Sequence, residues 1–261
     1  GVFNFAQGVF ALFAALTLVG FQTGQVPFSH LINELFGTKF HHWYPEIHSF
    51  LAIILTIITM ILLAWIIERL VLKHLVNQEP IILFMATIGL AFVLEGIGDL
   101  MWGSDVKVLD VGIPSGGSEW LENATIGLAE EGSEYYGMYI DVLNVWATVI
   151  AVILVTALAL FSQYTKTGRA LRAVADDHQA ALSVGISLRT IWVFVWAMSG
   201  FIAMVAGIMW GTESGVQFSL SLIALKALPV LILGGFTSIP GAIIGGLLIG
   251  VGEKLAEIYI G

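Results

Sequence analysis

Residues 142–162 read VLNVWATVIAVILVTALALFS, a run with no charged residue and with apolar side chains on every face of a helix drawn through it. A helix on the surface of a water-soluble domain keeps a polar face, whereas one without such a face is either wholly buried or set in lipid. A helix needs about 20 predominantly apolar residues to cross the hydrocarbon of a bilayer. The whole chain shares this bias. Of its 261 residues, 58% are hydrophobic and 11% charged, against about 45–50% and about 25% in soluble domains.

Further apolar runs lie near 5–21, 48–67, 81–101, 190–212, 222–236 and 241–258. The last two are short, and GGFTSIPG between them breaks any regular helix. The expectation is an all-α fold, a polytopic transmembrane helical bundle with discontinuous helices near the C-terminal end, forming one domain over 1–261. The absence of cysteine excludes disulfides and thiolate metal sites. The opening run GVFNFAQGVFALFAALTLVG lacks the basic leader of a secretory signal peptide.

Lysine and arginine set the orientation. Arg69 and Lys73 lie in loop 68–80, and Lys166, Arg169, Arg172 and Arg189 lie in loop 163–190, whereas loops 22–47 and 102–141 hold only Lys39 and Lys107. The positive-inside rule puts the first two loops, and the chain's opening, on the cytoplasmic side. The external loop 102–141 is acidic, with Asp105, Asp110, Glu119, Glu122, Glu130, Glu131, Glu134 and Asp141, an excess that suits solvation better than a specific ligand. It also contains Asn123-Ala124-Thr125, a glycosylation sequon in form only. His30, His41, His42 and His48 crowd the first external loop, but their spacing matches no metal-ligand set, so no metal site is expected. Nothing in the composition points to nucleic acid.

One cytoplasmic stretch stands apart. TGRALRAVADDHQAALSVGIS, residues 167–187, is too polar to cross a bilayer. Leu171, Val174, Ala175, His178, Ala181 and Leu182 recur at three- and four-residue steps as one apolar stripe. Arg169, Arg172, Asp176 and Gln179 take the other side, with Arg172 and Asp176 spaced to pair. Gly185 is a helix stop, and Asp176 or Asp177 is placed to cap a second short helix after a bend. Such a segment lies either in the membrane interface or in a groove on a partner. Its alanine content and near balance of charge favour the groove.

Gln179-Ala180-Ala181-x-x-x-Gly185 resembles the EAA loop of ABC importer permeases, with Gln179 standing where the broader pattern has Glu. The longer TGRALRAVADDHQAALSVGI resembles the corresponding loop of branched-chain amino acid (LIV-type) importer permeases, the H-type subunit. NFAQG, IERLVLKHL, MATIGLAFVLEG and LPVLILGGFTSIPGAIIGGLLIG agree with that family in the same order, so the similarity spans nearly the whole chain. The resemblance implies a multi-pass permease of a prokaryotic cytoplasmic (inner) membrane. Its implied partners are a second permease subunit, two cytoplasmic ATPase subunits and an external solute-binding protein, all around a domain embedded in lipid. It further implies that 163–189 is the ATPase-coupling loop, with Gly168, Arg169, Arg172, Asp176, Asp177, Gln179, Ala180, Ala181 and Gly185 as its contact residues, and that spans flank both ends of the sequence. The chain has no GxxxxGK[ST] phosphate loop. No cofactor is therefore expected in it, and ATP and magnesium belong to the partner ATPase.

Candidates for a translocation path are Asn4, Gln7 and Gly8 of NFAQG, Thr87 and Glu95 of the 81–101 span, Lys226, and Gly234, Gly235 and Ser238 at the C-terminal break. Each has a structural reading beside the functional one. Amides within spans bond helix to helix, typically for about 1 kcal/mol or less. Glu95 lies roughly 10 Å inside the outer end of its span at about 1.5 Å per residue. A charge at that depth is costly unless paired or hydrated, which predicts a Glu95–Lys226 bridge or, alternatively, a vestibule for a zwitterionic solute. Gly241-x-x-x-Gly245 and Gly246-x-x-x-Gly250 favour close helix packing. The substrate expected is a branched-chain or other small amino acid. Urea or a short amide is the alternative, and a secondary transporter driven through Glu95 and Lys226, or a passive channel, are rival classes.

Overall fold

The computed structural model describes residues 4–37, 46–75, 78–114, 116–117, 141–176, 178–236 and 238–260. The apolar runs become α1 (Gln7–Thr23), α3 (Ser49–Leu70), α4 (Pro80–Trp102), α5 (Val142–Tyr164), α8 (Leu188–Ser214), α9 (Ile223–Gly234) and α10 (Ile239–Tyr259). A short α2 (Ser29–Phe36) follows the first run, and α6 (Lys166–Asp176) and α7 (His178–Ser183) occupy the polar stretch before α8. Among the described residues there are no strands, only two isolated bridges, and five helices are long and apolar enough to cross a membrane. The fold is therefore an all-α polytopic bundle. Residues 222–236 do not make a full span: a 3-10 turn (Phe218–Leu222) precedes the twelve-residue α9.

Helix starts follow the local chemistry of the sequence. Asp141 Oδ1 accepts from the Leu143 amide at 2.9 Å, and Ser187 and Ser238 cap α8 and α10 with their hydroxyls. Pro80 and Pro240 stand in first turns, where a missing N–H costs nothing. His48, one of the four histidines of the first loop, caps α3 by accepting from the Phe50 amide at 3.3 Å. His41, His42, Lys39, the sequon and most of the acidic loop lie outside the described residues, as does the side chain of His30.

The chain divides into two compact units, 110–169 and the remainder. In the smaller unit Asp141 also accepts from the Gly116 amide at 3.0 Å, tying the start of α5 to the preceding chain. At the other end of α5, Thr165 Oγ1 accepts from the Gly168 amide at 2.9 Å. A Cβ at Gly168 would fall on the Phe161 carbonyl and lie 2.6 Å from that of Ser162. Glycine is required there for the tight turn into α6.

In the larger unit α1 is the axis, packed against α3, α4, α8, α9 and the 3-10 turn. Every residue from Gly8 to Gly20 is buried. The approach is close because small residues allow it: a Cβ at Gly8 would meet the Ser221 carbonyl, and one at Gly207 of α8 would meet the Ala11 carbonyl. Phe10 meets Trp196 edge-on at 5.5 Å and Phe13 meets Trp102 at 5.2 Å. The buried face of α3 includes Ala52, Thr56, Met60, Ala64 and Glu68 at four-residue steps. The end opposite the basic loops is closed by Lys107 and Val216, which exchange backbone hydrogen bonds of 2.9 and 2.7 Å.

Candidate functional site

Two features of the larger unit bear on function: a polar seam inside the bundle and a docked polar segment at its basic end. The seam forms where α1 begins. Asn4 Oδ1 accepts from the Ala6 amide at 3.1 Å, an arrangement typical of a residue opening a helix. Its Nδ2 donates to Gln7 Oε1 at 3.4 Å. Gln7 Nε2 donates to the Ser199 carbonyl of α8 at 3.0 Å, and the Ser199 hydroxyl donates back to Gln7 Oε1. Thr87 Oγ1 of α4 accepts from the Phe5 amide at 3.2 Å while donating to the Phe84 carbonyl. Beside Gly8, the Ser221 hydroxyl lies 3.4 Å from Glu95 Oε1. NFAQG is thus bonded to α4 and α8 and packed against the 3-10 turn before α9, and five candidates, Asn4, Gln7, Gly8, Thr87 and Glu95, lie along one seam.

Lys226 is not among them, and the predicted Glu95–Lys226 bridge is corrected. Lys226 Nζ donates to Glu253 Oε1 at 3.0 Å and lies 5.8 Å from the centre of the Trp210 ring. The reason is the hairpin: α10 turns back along α9 and brings Glu253, a residue the sequence reading passed over, beside the first turn of α9. Gly234, Gly235 and Ser238 form the turn of that hairpin. Gly235 has φ +86° and its amide donates to the Leu231 carbonyl at 2.8 Å, while the Gly241 amide donates to Ser238 Oγ at 3.0 Å. Gly234 and Gly241 touch backbone to backbone, and a Cβ on Gly245 would stand 2.7 Å from the Val230 carbonyl. The first glycine pair therefore serves packing. Gly250 meets nothing within 4 Å.

At the basic end lie α6 and α7, and Asp177 between them, where the sequence predicts a bend, is outside the described residues. Val174 and Ala181 are buried against Leu188 and Ile191 of α8, with Leu171 and Ile186 alongside. Gly185 has φ +83°; its amide donates to the Leu182 carbonyl at 3.0 Å and the Ile186 amide to the Ala181 carbonyl at 3.0 Å. This is the Schellman closure that favours glycine. The predicted stripe is split: Val174 and Ala181 are buried, but Ala175 and Leu182 remain exposed. Arg169, Arg172, Asp176 and Ala180 are exposed as well, and among the described residues no ion pair joins Arg172 to Asp176, contrary to their spacing. Both side chains stand in the open, where such a pair is worth little. Asp177 and the side chains of His178 and Gln179 lie outside the described residues.

Glu68 is the residue that sequence reasoning missed. It ends α3 with 2% of its surface exposed, its Oε2 receives no hydrogen bond, and Arg189 Nε is 3.6 Å away. The signal was present: Ala52, Thr56, Met60, Ala64 and Glu68 follow one i, i+4 row of α3, so a carboxylate continues the buried row. A cavity of about 450 Å³ opens there, lined from one side by Glu68, Arg69, Leu72 and Lys73 and from the other by Leu182 and residues 187–189 and 192. The loops after α3 and before α8 therefore meet at one end, as the distribution of lysine and arginine predicts. A larger apolar groove of about 850 Å³ between α3 and α8 shares only Ser187 and Arg189 with this cavity.

Fold and site together define a multi-pass helical membrane protein with a polar seam inside its bundle and a small helical pair docked at its basic end. The chain belongs to the branched-chain amino acid transport system permease component family, whose model matches residues 1–261. It is 30% identical over 199 residues to the high-affinity branched-chain amino acid transport system permease protein LivH of Salmonella typhimurium (strain LT2), covering 75% of this chain and 61% of that protein. To LivH of Escherichia coli (strain K12) it is 27% identical over 272 residues, covering 100% of this chain and 78% of the relative. To a probable LivH of Methanocaldococcus jannaschii it is 28% identical over 261 residues, covering 98% and 72%. No solved structure matches the chain.

Proposed function

We propose that this chain is the membrane-spanning permease subunit of an ATP-driven importer for branched-chain or other small amino acids in a prokaryotic cytoplasmic membrane. Its partners in this reading are a second permease subunit, two cytoplasmic ATPase subunits that carry ATP and magnesium, and an external solute-binding protein. The observation that carries the reading is the course of α8. Its first turn holds the α6–α7 pair through Leu188 and Ile191, and Ser199, in the seam, follows Arg189 by roughly 15 Å at about 1.5 Å per residue. A displacement imposed on α6–α7 by an ATPase is delivered along one helix to the polar groups inside the bundle.

The coupling surface in this reading is what α6–α7 leave uncovered: Arg169, Arg172, Asp176, Ala180 and Leu182, joined by Asp177 and Gln179. The solute passes along the seam. The amides of Asn4 and Gln7 and the carboxylate of Glu95 offer partners for the two charged ends of an amino acid, and hydroxyls of Thr87, Ser199 and Ser221 supply the remainder. Membership of a permease family supports this reading over a secondary transporter driven through Glu95 and Lys226. The test is uptake of labelled leucine into proteoliposomes holding the chain with its ATPase and second permease, supplied with the solute-binding protein, with urea and acetamide as competitors. ATP-dependent leucine uptake that Gly185→Val uncouples from hydrolysis is the expected result. Uptake unaffected by that variant defeats the coupling role, and displacement of leucine by the amides transfers the substrate to that class.

A further inference from the structure

Glu68 presents a problem of physical chemistry. A carboxylate that is 2% exposed, with one oxygen receiving no donor, is an expensive way to end a membrane helix. A leucine or methionine would fill the same volume without desolvating a charge. The nearest cation, Arg189, belongs to the first turn of α8, beside Leu188 and Ile191, onto which α6–α7 are packed. Its Nε stands 3.6 Å from Oε2, beyond hydrogen-bond length, and its side chain is 62% exposed.

Around this contact the two helices are held differently along their length. Further into the bundle α3 and α8 touch closely, Gly200 lying against Met60. At the basic end the cavity of about 450 Å³ separates them, with Glu68 and Leu72 on one side and Leu182, Leu188 and Trp192 on the other. Among the described residues, the ion pair that spans this gap is Glu68–Arg189. Without it, a push on α6–α7 is taken up as a tilt of the first turns of α8 into the cavity and fades before it reaches Ser199.

We infer that Glu68 is a positioning residue for transport: through Arg189 it holds the end of α8 that bears α6–α7 against α3, so that movement of the segment shifts the seam. This inference rests on the coupling role assigned to α6–α7 above. A charge serves better than an apolar contact because Glu68 remains attracted to Arg189 as the gap widens or narrows by an ångström, whereas dispersion contacts are lost over that distance.

The test uses the complete permease–ATPase complex in proteoliposomes and reads ATP hydrolysed per solute imported. Glu68→Gln keeps size and burial and leaves no buried charge unpaired, whereas Arg189→Gln strips the buried carboxylate of its cation and is therefore read per folded complex. Each is expected to raise the ATP-to-solute ratio about fivefold or more while the ATPase stays bound. Exchanging the charges, Glu68→Arg with Arg189→Glu, is expected to recover at least half of the coupling. A ratio unchanged in Arg189→Gln overturns the inference. So does a Glu68→Gln variant whose import falls only in proportion to the folded protein recovered. Gly185→Val separates the two levels. If it uncouples and the Glu68 and Arg189 variants do not, only this inference fails; if it too leaves the ratio unchanged, the coupling reading fails with it.

Discussion

α1 and α10 are alike on paper and opposite in the structure. Both are apolar helices containing glycine, and α10 has charge only in its last turns, at Glu253, Lys254 and Glu257. Yet α1 is buried at every residue from Gly8 to Gly20, while Gly245 is the only buried residue among those described in α10. In hydrocarbon there is no hydrophobic force to draw one apolar helix inside another, so close packing and polar links decide position. α1 has both. Its backbone is approached at Gly8 by Ser221 and at Ala11 by Gly207, and Gln7 is bonded to Ser199. α10 has glycines matched on one side only, by Gly234 and Val230 of α9, and its Gly250 and Gly252 face open space. Hydropathy marks a helix for the membrane; steric and polar fit to neighbours mark it for the centre.

The strongest way to break this comparison is to remove matched side chains from the two helices. Phe10→Ala should cost about 3–5 kcal/mol, the range for truncating a fully packed aromatic, because Phe10 is 1% exposed against Trp196. Leu247→Ala on α10, 65% exposed, should be close to neutral. Thermal unfolding in detergent compares the two, and equal losses would mean that α10 is covered in the isolated protein. The next effect comes from adding atoms. Gly207→Val should lose about 1–3 kcal/mol, the usual cost of overpacking, because its Cβ meets the Ala11 carbonyl, which cannot move aside, whereas Gly250→Val should be tolerated.

Smaller again is Gly185→Ala at the basic end. A left-handed conformation costs an L-residue about 1–2 kcal/mol, and nothing lies within 4 Å to add a clash. Hydrogen exchange should rise in 178–186 alone. The smallest change expected is Lys226→Met with Glu253→Gln. Both charges are removed together, leaving no unpaired charge in the span. Replacing a whole ion pair by neutral side chains is often close to neutral, so the melting temperature should hardly move. A large loss would show that the pair is buried against another chain.

Much of the fold was legible because membrane insertion leaves few options. Each apolar run became a helix, the break at GGFTSIPG became a hairpin turn, and the basic loops gathered at one end. Gly185 was readable as a helix stop. Reading the site was harder. NFAQG drew attention as polar groups in an apolar span, but that Gln7 would find Ser199 almost two hundred residues away was not in any local pattern. Glu95 and Lys226 were paired by depth alone, and depth does not specify azimuth around a helix. Glu68 went unremarked because it sits at a span's end, where charge is ordinary; only its place in the i, i+4 row after Met60 and Ala64 distinguishes it.

By itself the sequence determined that this chain lives in a membrane, roughly where its long helices lie, and that its basic loops share an end. Those properties follow from transfer free energies, capping chemistry and charge, all of which act on residues close together along the chain. Only the tertiary structure decided that α1 rather than α5 or α10 would be the axis of the larger unit, that Lys226 would face Glu253, and that Glu68 would be buried opposite Arg189. Those outcomes depend on which faces of distant helices meet. In lipid, where apolar faces are interchangeable, that choice is made by a few glycines, hydroxyls and charges whose partners are defined only once the bundle has closed.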